Sequence, residues 1–449
     1  MKNRVFNLLV ITAMITLGVT YAAEAAEAPK PNIVIIIADS ARADHYSCYG
    51  YERKTTPKID AFAKESALFS WCISQGNWTS PGLASLSWGA YAVNHFNSNP
   101  RAKNLSGKVE TPLVILKNAG YKAAFYADNP YQDGVETESL GSPEATFKWL
   151  ESQKKDSPFL LFYRTHVTHI PYNPTRPYND MFFDKNFIAS DKTLSNMNPA
   201  RTYWIVHDEG KISGSEAGGS KQGVANFSEE DIYPILASYD GKLRMLDDEI
   251  GELIKKIDEA GFKNNTIIVF VGEHGEELLD RNHVGHAADS LDGTLHDELT
   301  HVPLIIRYPP LIPKNTVIDK QVELIDVMPT VLDMAGTKRL GYFSGKSFAG
   351  LLKNGAEGYD KEYAFSFGAP AGCQNLPQDQ RMLRSLRTER WKLIALESAD
   401  RITYELYDMK KDPLEKRNVL IDNVETAEKL KSKLSDIYEK AKSSEIFSK

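Results

Sequence analysis

Three short apolar runs constrain this chain more than any other feature: Asn32 to Ala38 (NIVIIIA), Pro158 to Phe162 (PFLLF) and Thr266 to Val271 (TIIVFV). Each is continuous rather than alternating, and each is too short for an ordinary helix. Such runs read as strands buried on both faces, as in a parallel sheet covered by helices. Between the second and third lies a helical pattern over residues 232–260. There Ile235, Leu236, Tyr239, Leu243, Leu246, Ile250, Leu253, Ile254 and Ile257 recur at three- and four-residue spacing. Strand and helix in alternation predict a doubly wound α/β fold, a mostly parallel sheet sandwiched by helices.

The chain opens with Lys2 and Arg4 ahead of an apolar run, followed by small residues around Ala-Glu-Ala. This reads as a secretory signal peptide over residues 1–26, with an apolar run short for a membrane span. No later segment approaches a span. The expectation is an exported soluble protein, in the periplasm of a Gram-negative bacterium. Cys48, Cys72 and Cys373 are too few for a disulfide scaffold, although an oxidising compartment permits one bridge. A net charge of −7 and the lack of a basic stripe give no reason to expect nucleic acid. An α/β domain is expected over residues 27–345. A smaller α+β unit over 346–449 carries strands at Trp391–Ile394 and Glu405–Asp408 and a charged helix from about Asn423 to Lys442. The Gly- and Ser-rich stretch 208–231 reads as a long surface loop.

Open α/β sheets bind ligands beyond the carboxyl ends of their strands. The first run leads into Asp39-Ser40-Ala41-Arg42 and the third into Gly272-Glu273-His274, so both deliver polar groups there. Buried polar groups need partners, and one divalent cation satisfies a carboxylate and imidazole set. Mixed oxygen and nitrogen ligation suits Mn²⁺, Zn²⁺ or Mg²⁺, and a carboxylate-rich version suits Ca²⁺. Arg42 is a candidate for binding an anionic substrate. The second run leads into RTHVTHIPYNP, residues 164–174, with His166 and His169. A later loop holds His283, His286 and His296. In NWTSPGLASLSWG, residues 77–89, the proline suits a first helical turn, which makes Thr79 or Ser80 the expected N-cap.

PNIVIIIADSARADHYSCYGY, followed by TTPKIDAFAKESALFSWCIS, resembles the start of the sulfatase group within the alkaline phosphatase superfamily. GEHGEELL with LHDELTHVPLIIRYP, then IDVMPTVLDMAG, then RTERWKLI with ELYDMKKDPLEKRNV, resemble its later blocks in the same order. The resemblance implies a metal held by Asp39, Glu273 and His274, with Thr79 as a nucleophile in the same shell. It implies that His169, in its His-x-Pro-Tyr context, contacts the transferring group with His166 beside it. It further implies that His286 protonates the leaving group or binds ester oxygens, with His283 as a substrate-binding neighbour and His296 structural.

Four departures from the pattern matter. Thr79 stands where a Cys or Ser becomes formylglycine, and Leu83 stands where the modification motif has arginine. Ser40 replaces a second metal-binding aspartate, and Glu273 is one methylene longer than the usual Asp. The set looks like the threonine-dependent branch of phosphoglycerol and phosphoethanolamine transferases and phosphodiesterases. The expected activity is therefore metal-dependent hydrolysis or transfer of a phosphate or sulfate ester of an alcohol, lipid headgroup or glycan, with phosphoesters preferred. The alternative is a degenerate, non-catalytic relative that binds a glycan or an anionic headgroup. Arg381, Arg384 and Arg387 are expected to be solvated rather than to wall the pocket.

Overall fold

The computed structural model describes residues 29–91, 93, 110–127, 136–208, 222–287, 293–338, 340–354, 358–370 and 381–443. The proposed signal peptide and Cys373 lie outside them. The central sheet contains β1 (Asn32–Ala38), β2 (Ala67–Phe69), β3 (Lys122–Tyr126), β4 (Glu138–Leu140), β5 (Phe159–Thr165), β6 (Thr266–Gly272), β7 (Leu304–Arg307) and β8 (Thr316–Ile318). Their spatial order is β8-β2-β7-β6-β1-β5-β3-β4. Only β7 runs antiparallel to its neighbours. The three apolar runs are the three central strands, and every residue of β1, β5 and β6 is buried.

Alternation along a strand sends successive side chains to opposite faces. Ile33, Ile35 and Ile37 enter one core, shared with α2 (Thr79–Trp88) and α5 (Val327–Met334). Val34 and Ile36 enter the other, shared with α1 (Pro57–Lys64), α3 (Pro143–Ser152) and α4 (Ile232–Glu259). Each fully buried aliphatic side chain is worth about 1.5–3 kcal/mol over its exposed state. Apolar residues on both sides of a strand are therefore stable only with helices on both sides.

Strand β5 extends three residues beyond the apolar run, through Tyr163, Arg164 and Thr165. The stretch 208–231 is not all loop: Gln222–Ala225 forms a strand paired in parallel with Ile205–Asp208, and residues 209–221 lie outside the described ones. Among the described residues no helix is long and apolar enough to cross a membrane. Cys48 and Cys72 are both free thiols.

A second, antiparallel sheet orders β9 (Ala364–Gly368), β10 (Met382–Arg387), β11 (Trp391–Glu397) and β12 (Ile402–Asp408). Helix α6 (Val424–Lys442) packs Leu430, Leu434 and Tyr438 into the core that holds Leu386, Leu393 and Leu406 of this sheet. The sheet is tied to the rest by Phe367 N donating to Gln75 O (3.0 Å) and by Lys392 and Arg387 converging on Asp297 (2.8 and 3.1 Å). Arg384 pairs with Glu397 and lies over the Tyr438 ring. Arg384 and Arg387 are thus structural ion-pair partners rather than solvated groups.

The central register positions the site. Ala38 is aligned with Gly272 on one side and with Thr165 on the other. Three parallel strands therefore end level, and Asp39, His166 and Glu273 leave them side by side.

Candidate active site

Asp39 follows β1 and is fixed by its amide, which donates to Thr165 O (3.0 Å). Its carboxylate is buried among cationic and imidazole groups. Oδ2 accepts from Nη2 of Arg164 (2.8 Å) and from Nδ1 of His166 (2.8 Å), and Oδ1 lies 3.1 Å from Nε2 of His274. Burial alone would raise the Asp39 pKa, but Arg164 and the bonds from His166 and His274 outweigh it and hold it well below the usual carboxylate range. Ser40 follows with φ of +52°, its Oγ donating to Asp39 Oδ1 (3.4 Å), and the next amide, Ala41 N, donates to the His274 carbonyl (2.8 Å).

Glu273 follows β6. Its Oε1 accepts from Arg164 Nη2 (2.6 Å) and its Oε2 from Arg164 Nε (3.2 Å). Burial first, with the adjacent Asp39 charge added, outweighs Arg164 and pushes its pKa up to about 8. The Glu273 backbone is buttressed from below. Ser74 Oγ donates to its carbonyl (2.5 Å), and Gly82 of α2 lies so close that a Cβ there would meet the same oxygen at 2.3 Å.

Thr79 is the first residue of α2, and the N-cap is Trp78, whose side chain makes no capping bond. The threonine hydroxyl is therefore not used as a cap. Its Oγ1 lies 3.3 Å from His274 Nε2 and 3.4 Å from Arg164 Nη2. His274 Nδ1 donates to the Gly275 carbonyl (2.8 Å), which turns Nε2 toward Thr79 and Asp39. Leu83, one helical turn on, is buried in the core and supplies no cation.

A histidine layer covers this floor. His166 Nε2 accepts from Arg164 Nη1 (3.2 Å), so its Nδ1 carries the proton given to Asp39. The rings of His274 and His286 lie 4.4 Å apart between centroids, and those of His286 and His169 4.8 Å apart. His286 Nδ1 bonds Glu276 Oε2 (2.8 Å), whose other oxygen accepts from Tyr172 OH (2.6 Å). Thr79, Asp39, Glu273, His274, His166, His169 and His286 thus come together at one place.

One of the expected residues does not. Arg42 turns away: it pairs with Asp44 (2.8 Å) and Asp280 (2.5 Å) and lines a separate cavity of about 490 Å³ with Trp71 and Asp297. The cause is local, since two carboxylates on that side compete for its guanidinium. His283 lies in the turn between short strands Glu277–Leu278 and Val284–Gly285, its carbonyl accepting from Leu279 N (2.8 Å). His296 is buried against Tyr407 at the start of the helical turn Asp297–Thr300, and burial lowers its pKa well below the usual value. Three contributors were not singled out from the sequence: Arg164, Glu276 and Tyr172. The available signal was position, since Arg164 closes a buried strand and Glu276 stands two residues beyond His274.

By atom type and closeness, Asp39, Glu273 and His274 could hold a metal ion, as could His274, Glu276 and His286. As arranged, the first group does not fit one. A single guanidinium nitrogen of Arg164 already bonds both carboxylates, at 2.8 and 2.6 Å. An ion bound by both, at about 2.0–2.6 Å from each, requires the same space.

The sulfatase family model matches residues 31–337, and a model described as the C-terminal part of N-sulphoglucosamine sulphohydrolase matches residues 292–442. An ulvan-active sulfatase of Formosa agariphila is 23% identical over 457 residues, 89% of this chain and 73% of that protein. An N-acetylglucosamine-6-O-sulfatase of Bacteroides thetaiotaomicron is 22% identical, over 93% of this chain and 88% of that protein. The crystal structure of a phosphonate monoester hydrolase of Agrobacterium radiobacter superposes with a TM-score of 0.69 at 20% identity, covering 91% of this chain and 96% of that one. With the strand-end cluster in place and the family model matching most of its length, the chain belongs to the sulfatase family of the alkaline phosphatase superfamily.

Proposed function

We propose that this chain is an exported ester hydrolase or transferase in which Thr79 is the nucleophile, with phosphate esters preferred over sulfate esters. The observation that carries the reading is the place of Thr79 Oγ1, between His274 Nε2 at 3.3 Å and Arg164 Nη2 at 3.4 Å, beyond three level strand ends. Neutral His274, with its one proton on Nδ1 toward the Gly275 carbonyl, accepts the hydroxyl proton at Nε2, and Asp39 Oδ1, 3.1 Å away, stabilises the imidazolium that forms. Oγ1 then bonds to phosphorus, and the bond to the leaving alcohol oxygen breaks. Arg164 and the amides at the start of α2 face the charge that gathers on the transferring oxygens. His286 gives a proton to the leaving oxygen, with His169 beside it. Water or an acceptor alcohol then attacks the phosphothreonine and releases Thr79.

A divalent cation bound at Asp39, Glu273 and His274 would polarise the transferring oxygens and acidify Thr79. No step above depends on it, because Arg164 stands in its space. Phosphorus is preferred because Thr79 and Leu83 leave the formylglycine motif incomplete. The relatives named for ulvan and for N-acetylglucosamine-6-O-sulfate esters support a glycan as the esterified alcohol. The leader over residues 1–26 supports the periplasm as location; a mature N-terminus still beginning at Met1 would overturn that.

The test is paired turnover of an aryl phosphate diester and an aryl sulfate, with mass spectrometry of the quenched enzyme. The diester is expected to turn over faster and to leave phosphate on the peptide holding Thr79. Cleavage of the sulfate alone would reverse the phosphoester preference.

A further inference from the structure

Arg164 is the penultimate residue of β5, opposite Ile37 of β1, and its side chain is buried. Its guanidinium meets Glu273 through two nitrogens, Nη2 to Oε1 (2.6 Å) and Nε to Oε2 (3.2 Å). The same Nη2 reaches Asp39 Oδ2 (2.8 Å), and Nη1 reaches His166 (3.2 Å). The planar fork of arginine matches a carboxylate two-point contact in a way that a spherical ion does not.

We propose that Arg164 is the resident cation of this site, and that no divalent ion is held between Asp39 and Glu273. Three features agree with one another on this. A guanidinium is wider than a metal ion, and Glu273, one methylene longer than an aspartate, has the reach to bond its edge. Ser40, at the place of a further carboxylate, leaves two acidic groups at the strand ends, of which one guanidinium meets both. Because an N–H donor cannot coordinate the threonine oxygen, activation of Thr79 falls to a base, and His274 Nε2 stands at hydrogen-bond distance from it. The packing of Arg164 carries the inference, and only its third feature rests on the ester chemistry proposed above, so each can fail alone.

The experiment is metal analysis of the purified full chain before and after dialysis against a chelator, with thermal melts in added Ca²⁺, Mg²⁺ and Mn²⁺. Wild type is expected to carry no stoichiometric ion and to melt at the same temperature with and without each metal. Arg164→Gln, which leaves two buried carboxylates without their cation, is expected to melt lower and to be raised by at least one of the ions. One ion per wild-type chain that Asp39→Asn removes, or a metal-induced rise that Asp39→Asn abolishes, overturns the proposal. Should Arg164→Gln fail to fold, the wild-type metal content and melts decide by themselves. A metal-free wild type that cleaves no ester upholds Arg164 as the cation and counts against Thr79 as the nucleophile.

Discussion

Oγ1 of Thr79 stands 3.3 Å from Nε2 of His274, and the two residues come from opposite sides of the crevice, one opening a helix and the other following β6. The hydroxyl carries no helix-capping duty, so its removal costs the fold only its long contacts to His274 Nε2 (3.3 Å) and Arg164 Nη2 (3.4 Å). Thr79→Ala is expected to cost roughly 10³-fold or more in turnover with an unchanged melting temperature, since the group acts in the transition state. Thr79→Ser keeps a hydroxyl in the same place and is expected to retain part of the activity. An Ala variant as active as wild type rules out Thr79 as the nucleophile.

The second prediction concerns Gly82, one turn into the same helix. A Cβ there would lie 2.3 Å from the Glu273 carbonyl, which Ser74 also holds. Neither backbone can yield without moving the Glu273 carboxylate. Gly82→Ala is expected to lose about 1–3 kcal/mol of stability by overpacking and to lower turnover more than it raises KM. Chemical denaturation and steady-state kinetics check it; a variant matching wild type in both shows that helix and strand end are not in rigid contact.

Lys242 gives a prediction of pH dependence away from the site. It lies in α4, with Nζ 3.3 Å from Asn173 Oδ1, and burial lowers its pKa to about 8. The unfolded chain holds that proton up to about pH 10.4, so between about 8 and 10.4 unfolding takes up a proton and stability rises with pH. Below about 8 both states are charged and the full burial penalty applies. Lys242→Met is therefore expected to stabilise the protein by about 1–3 kcal/mol near neutral pH, with the gain shrinking as pH nears the free lysine value. Denaturation midpoints across the alkaline range test this; equal or lower stability of the variant at neutral pH refutes it.

The sheet was legible because a strand buried on both faces must be apolar at every position, as Ile33 to Ile37 are. Short strands left no such mark: Ala67–Phe69 is a strand because Leu304–Arg307 and Thr316–Ile318 pair with it on either side. Asp39, Glu273 and His274 were legible from their place after strands, and Thr79 from the family motif. Arg164 was not, because its partners Asp39 and Glu273 lie 125 and 109 residues away in sequence. Arg42, of the same type and near the same strand ends, found Asp280 at 238 residues and turned the other way. Which carboxylates compete for a guanidinium is a property of the folded chain.

The last prediction separates a proton donor from a packing residue in the histidine layer. His286 bonds Glu276 through Nδ1 (2.8 Å), and Tyr172 bonds the far oxygen of Glu276 (2.6 Å), so the carboxylate is held on both sides and fixes the imidazole. If His286 protonates the leaving oxygen, its importance depends on how badly that oxygen needs a proton. Loss of a general acid costs about 10²–10⁴-fold when the leaving alcohol is poor, and far less when it departs unaided as a nitrophenolate. His286→Ala is expected to show that divergence between alkyl and nitrophenyl esters. Glu276→Gln, a change in a positioning residue, is expected to show a smaller divergence in the same direction, with a displaced alkaline limb in kcat and little change in KM. A purely structural layer would lower the rate on both esters by the same factor, and that result would remove His286 from the reaction.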